Sequence, residues 1–143
     1  MKIKSLLYGM AFAVVILVVL LLVLGVNFQT PNAVQGAALY NPAGEVVVKG
    51  TVQEIQEFDC PVSEGELGSH LLLKTADGTV LVHLAPVRIV TSQNLTFAPG
   101  DQIEVIGAKV RVAGKNGLIA REITRGNESM IFRDRTGKLL IAQ

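Results

Sequence analysis

Two histidines, one cysteine and a group of arginines carry most of the chemistry this sequence can offer. His70 and His83 fall in two β-rich runs, HLLLKT (residues 70–75) and TVLVHLA (residues 79–85), on either side of Ala76-Asp77-Gly78. Asp-Gly between such runs signals a tight hairpin. A two-residue Asp77-Gly78 turn sets His83 opposite Leu72 and His70 opposite Ala85. Both imidazoles then share one face, on diagonal positions about 7–8 Å apart between backbones. Lys74, Thr79 and Leu81 lie on that face too, so it is the wetter one. With Cys60 or Glu66 arriving from the preceding loop, two imidazoles there make a site for zinc or copper, or for haem. A three-residue turn would shift the register by one and send the rings to opposite faces. Two unrelated surface histidines are the plainer alternative.

Cys60 is the single cysteine of the chain, which rules out an internal disulfide and any Cys-x-x-Cys pair within it. Its setting, Asp59-Cys60-Pro61, is acidic, and neighbouring carboxylates disfavour a thiolate nucleophile. The remaining roles are an intermolecular thiol toward a partner protein or a half-buried packing residue. No carboxylate pair and no nucleophile beside a base can be argued from the spacing, so the expectation is a binding or assembly module and not an enzyme.

The last third of the chain is basic. Lys109, Arg111, Arg121, Arg125, Arg133 and Arg135 outnumber Glu122, Glu128 and Asp134 there, and are candidates for holding an anion or an acidic partner. Single-stranded nucleic acid needs aromatic stacking platforms beside such charge. Phe58, Phe97 and Phe132 lie outside the two runs flanking Asp77-Gly78, and the loop after residue 58 is acidic. Nucleic-acid or polyanion binding is therefore a lesser alternative. Asn94-Leu95-Thr96 and Asn127-Glu128-Ser129 match the glycosylation triplet, which matters only in a glycosylating host.

The elements that must position these residues are strands. From Glu45 onward the apolar residues alternate: EVVVKGTVQEIQEF (residues 45–58) is one long strand with Gly50 as a bend. The two histidine-bearing runs follow, then a short helical turn or irregular crossover after Pro86. Ala98-Pro99-Gly100-Asp101 turns into QIEVIGAKVRV (residues 102–112), which bends at Gly107. Gly114-Lys115-Asn116-Gly117 leads into LIAREIT (residues 118–124). A last hairpin pairs residues 130–132 with 139–141 around Thr136-Gly137. Five strands with glycine bends in the first and fourth predict a small closed all-β Greek-key barrel, residues 45–125, with a C-terminal hairpin extension, residues 126–143. The Pro-Gly-Asp-x-Ile-x-Val-x-Gly entry to the fourth strand resembles an OB-fold; the main alternative is a β-sandwich fragment.

Ahead of the barrel, residues 6–26 hold no charge, amide or proline. As a helix they would span about 30 Å, the thickness of a bilayer core. Lys2 and Lys4 are the only charges before Glu45, so residues 1–5 should stay cytoplasmic and the barrel should be periplasmic or otherwise extracytoplasmic. The apolar run is too long for a cleavable signal, which makes it a single-pass signal anchor. Residues 27–44, with Pro31, Gly36, Pro42 and Gly44, read as a linker; Tyr40 has no assigned place. Overall charge is near balance, with 13 Lys/Arg and 12 Asp/Glu.

Anchor, tether and OB barrel together resemble the bacterial extracytoplasmic OB-fold proteins, and the architecture is similar to the haem chaperone of cytochrome c maturation. That family attaches haem through His-x-x-x-Tyr after its last barrel strand. Here the stretch reads Thr124-Arg125-Gly126-Asn127-Glu128-Ser129, so the resemblance implies the architecture without the haem chemistry. The expected function is an accessory or scaffold subunit of a membrane protein complex. A metal or haem carrier using His70 and His83 is the second expectation.

Overall fold

The computed structural model describes residues 39–63 and 65–140, together with Val14 and Ile16. Apart from those two positions, both helical, the expected membrane span lies outside the described residues, as does most of the linker. Among the described residues no helix is long and apolar enough to cross a membrane. Contacts divide the chain into Met1–Asn32 and Ala33–Gln143, and the second unit is the one described below.

Six strands follow one another: β1 (Glu45–Asp59), β2 (Leu67–Thr75), β3 (Gly78–Pro86), β4 (Gln102–Val112), β5 (Lys115–Arg125) and β6 (Glu128–Ile131). One helix, α1 (Val87–Ser92), links β3 to β4. The sheet order is β3-β2-β1-β4-β5-β6, and a parallel pairing of β3 with β5 closes it. This is the five-stranded OB topology, all-β as expected, with β6 added outside β5. Closure leaves few unpaired edges, which a sheet this small must otherwise shield.

β1 reaches around the barrel because it serves two neighbours. Residues 45–51 pair with β4, and residues 51–59 pair with β2. At the crossover a Cβ on Gly50 would stand 2.5 Å from the Lys74 carbonyl oxygen, so only glycine allows the strands to approach there. The β2–β3 hairpin differs from expectation. Its turn is Ala76-Asp77, with Gly78 opposite Thr75, held by the Thr75 hydroxyl donating to the Gly78 carbonyl at 2.7 Å. The register is thus two residues away from the expected one, and this preserves the face of every side chain while changing its partner.

Period two packs Val52, Leu71, Leu73, Val82, Leu84, Ile103, Val105 and Ile123 inside the barrel, with Ile89 of α1 against them. Met130 and Phe132 join that core, so the segment after residue 125 is part of the domain's packing. β6 pairs with β5, and the expected C-terminal hairpin around Thr136-Gly137 is present in short form, with one antiparallel bridge from Arg133 to Leu139 and the Leu140 N–H donating to the Phe132 carbonyl at 2.9 Å. A second cluster forms from Tyr40, Cys60, Val62, Ala108 and Ile119. Ile119 alternates with the core residues Leu118 and Ala120, which places this cluster on the outer face of the strands.

Candidate metal centre

His70 neighbours Leu71, and His83 stands between Val82 and Leu84, all three of them core residues. Alternation therefore turns both imidazoles outward. Register makes them direct partners: His70 faces His83 across β2–β3, His83 faces Ile119 across β3–β5, and Ile119 faces Ala108 across β5–β4. This row is wet at neither histidine. His70 is fully buried and His83 is 3% exposed, because the segment after β1 folds over them. The two solvated, diagonal histidines expected from sequence are a buried, facing pair, since the turn is displaced and the outer face is covered at this end only.

The covering segment brings the sulfur. After β1 a single 3-10 turn, Pro61–Ser63, points Val62 and Ser63 inward. Cys60 Sγ lies 3.1 Å from His70 Nε2, 3.6 Å from His83 Nδ1 and 3.3 Å from Ser63 Oγ. The three ligand atoms of Cys60, His70 and His83 all lie within 4.8 Å of one another. Phe58 stacks on His70 with ring centroids 3.8 Å apart, and the two imidazoles meet edge to face at 4.8 Å. Burial depresses the His70 pKa, partly opposed by hydrogen bonding with the Gln56 and Gly68 backbone. Burial, with the charges of His70 and Arg133, lowers the His83 pKa to about 4. Both imidazoles are thus neutral near pH 7, the form that binds a metal.

Two glycines make room. A Cβ on Gly68 would fall 1.9 Å from Ser63 Oγ and 2.9 Å from His70 Cε1. One on Gly117 would fall 2.8 Å from the Leu81 carbonyl and 3.3 Å from His83 Nε2. Nothing local in the sequence marks Gly68, Gly117, Ser63 or Phe58 as a neighbour of the histidines. Glu66, the other expected donor, pairs instead with Arg88 of α1 at 2.6 Å. Cys60 is buried with its sulfur turned to the imidazoles, a placement that does not suit an intermolecular thiol.

The basic residues do not form one surface. Arg133 is 1% exposed and donates to the carbonyls of Leu84 and Ala120, tying β3 to β5. It is a structural cation and not part of an anion-binding surface, because the chain after β6 brings it onto the carbonyls of β3 and β5. Arg121 pairs with Glu45 at 2.7 Å, and Glu45 also accepts from the Tyr40 hydroxyl. Tyr40 is buried, its ring lying over Gly137, so the last part of the linker is packed on the barrel. Arg125 joins Asp101 at 2.9 Å and Glu128 at 3.0 Å. Lys109, Arg111 and Arg135 are exposed.

Fold and site together define an OB-type barrel with a buried Cys-His-His cluster on its outer face. Residues 45–130 match the model of the MamS/MamX magnetosome protein family, and the chain belongs to that family. No curated protein matches the sequence. Among solved structures the chain is similar to one of the Schizosaccharomyces pombe (S. pombe) Stn1–Ten1 complex, with 13% identity over 59% of each chain and a TM-score of 0.44. It is also similar to the N-terminal domain of PriB from Thermoanaerobacter tencongensis, with 15% identity, 60% of this chain and 99% of that one covered, and a TM-score of 0.46. For the second OB-fold domain of replication protein A from Methanococcus maripaludis the values are 19%, 59%, 85% and 0.41. The match spans about 59% of the length of the Stn1–Ten1 chain.

Proposed function

We propose that this protein is a non-catalytic accessory subunit among magnetosome proteins, held to a membrane by residues 6–26, and that its extracytoplasmic barrel holds a transition-metal ion at Cys60, His70 and His83. The observation that carries the metal reading is the convergence of three buried donor atoms, from β2, β3 and the segment after β1, within 4.8 Å of one another. Around a four-coordinate zinc ion, sulfur and imidazole nitrogen stand about 3.6 Å apart, given metal–ligand bonds of about 2.3 and 2.1 Å. The sulfur–nitrogen separation to His83 is 3.6 Å, and that to His70, 3.1 Å, is about half an ångström shorter. One thiolate with two imidazoles suits zinc or copper(I), which favour sulfur and nitrogen over oxygen.

The same cluster argues against nucleophilic catalysis. A catalytic thiol needs one imidazole as base, oriented in turn by a third group. Here both imidazoles converge on one sulfur, which is the arrangement of a ligand set. The accessory role rests on the family membership.

Titration of the full chain in detergent with Zn²⁺ and Cu⁺ under anaerobic conditions tests the metal reading. One equivalent should bind to the wild type and be lost from the His70→Ala/His83→Ala double variant, with folding checked by circular dichroism. Equal binding by a folded double variant would remove the proposal. Recovery of stoichiometric protein partners after mild solubilisation of the native membrane supports the accessory role; a lone monomer counts against it.

A further inference from the structure

We infer that the Cys60–His70–His83 centre keeps one coordination position open to an external nitrogen or sulfur donor, which reaches it through a recess between the end of β1 and the β4–β5 turn. This rests on the metal reading above. The recess has a volume of about 350 Å³, and its lining includes Cys60 and His83, two of the three donors. His70, the third, is sealed beneath Phe58. The approach is therefore one-sided.

Zinc-type ions take four ligands, and a closed structural site supplies all four from protein. Among the described residues this cluster supplies three. The remaining polar side chain at the sulfur is the Ser63 hydroxyl, a neutral oxygen that a thiophilic ion binds poorly. Phe58, Pro61 and Val112 make much of the wall apolar, while Lys115 and Asn116 bring the only other nitrogen-bearing side chains besides Gln56 and His83. Neither an amide nor an ammonium group is a good ligand for such an ion. Asp59, the one carboxylate among the described residues that line the recess, is not among the clustered donors. The described residues thus leave the fourth position to an external donor, and a site of this kind releases its ion by exchange with the incoming donor.

Co²⁺ is a direct probe, because a thiolate–Co²⁺ charge-transfer band reports Cys60 ligation and the visible d–d bands report the fourth ligand. The full chain in detergent is loaded with Co²⁺ and titrated with imidazole. A saturable shift of the d–d bands with the charge-transfer band retained is the expected result. The Asn116→Trp variant, which places an indole at an exposed position beside the recess, should keep the charge-transfer band and need at least about tenfold more imidazole. The rate at which a chelator removes Zn²⁺ should rise with chelator concentration in the wild type, and less steeply in Asn116→Trp. Bands unmoved by imidazole, with chelator-independent release, mean a closed site and overturn the inference while leaving the metal reading intact. A missing charge-transfer band in a folded wild-type protein overturns the metal reading and this inference with it.

Discussion

His70 and His83 are direct cross-strand partners, their ring centroids 4.8 Å apart and nearly perpendicular, on the outer face of a barrel that elsewhere presents such positions to water. Cross-strand pairs of this kind normally contribute through packing. Here a cysteine sulfur sits against both rings, which makes the pair a candidate ligand set whose occupancy should couple to folding. A ligand that binds only the folded state at about 100 times its dissociation constant adds about 2.7 kcal/mol. Zn²⁺ at that excess should raise the urea midpoint of the full chain accordingly, and a chelator should reverse it. Cys60→Ser should abolish the shift while changing metal-free stability by about 1 kcal/mol, since a hydroxyl of similar size can still meet the three groups around the sulfur.

Gly117→Ala is a test of the site from its other side. The added methyl would crowd the Leu81 carbonyl at 2.8 Å and His83 Nε2 at 3.3 Å, at the parallel β3–β5 closure. Crowding of this kind costs about 1–3 kcal/mol. Chemical denaturation should show that loss, and the variant should bind metal more weakly than the wild type because His83 is displaced. An unchanged midpoint and affinity would mean that the closure has slack.

Acid should weaken the hold of the barrel on its linker. The Arg121 guanidinium, and then the Tyr40 hydroxyl, hold the Glu45 carboxyl below its ordinary value of 4.5. A carboxyl lowered in the folded state contributes stability that is fully present above its unfolded value and is lost as pH falls through the folded one. Urea unfolding of the wild type should therefore weaken below about pH 4.5, and Glu45→Gln should show a shallower decline over that window. At the alkaline end, burial and the hydrogen bond to Glu45 push the Tyr40 phenol up to about 12. Its contribution is complete below the unfolded value of about 10 and disappears as pH rises through the folded one. Tyr40→Phe should cost about 1 kcal/mol at neutral pH.

Arg133 and Arg135 should separate structure from surface. Arg133→Ala leaves the Leu84 and Ala120 carbonyls without their buried donor and should destabilise by about 2–4 kcal/mol. Arg135→Ala, at an exposed position, should stay within about 0.5 kcal/mol of the wild type. Thermal unfolding of the two variants side by side checks both. Equal melting temperatures would contradict the internal role given to Arg133.

Much of the barrel could be read from residues alone. Alternation from Glu45 to Thr124, the glycine bends at Gly50 and Gly107 and the turn residues at Asp77-Gly78 and Pro99-Gly100 are local signals, and local backbone chemistry is enough to produce strands and reversals. They also placed His70 and His83 on one face, because the side-chain period of a strand survives a register error of two. What they could not determine was which residues oppose which, because the turn falls at Ala76-Asp77, with Gly78 paired to Thr75 and its carbonyl taking the Thr75 hydroxyl. Nor could they show that the face is dry at one end. That depends on Cys60 and Val62 folding back from the end of β1 and on Tyr40 packing 20 residues before Cys60 in sequence. Arg121, Arg125 and Arg133 read as one basic stripe for the same reason: sequence displays charge, whereas the Glu45, Asp101 and backbone carbonyl partners that engage those arginines are brought to them only by closure of the sheet. Composition and period are properties of neighbours along the chain and so appear in the sequence. The shared sulfur, the sealed imidazoles and the internal arginine are long-range contacts, and only the tertiary fold decides them.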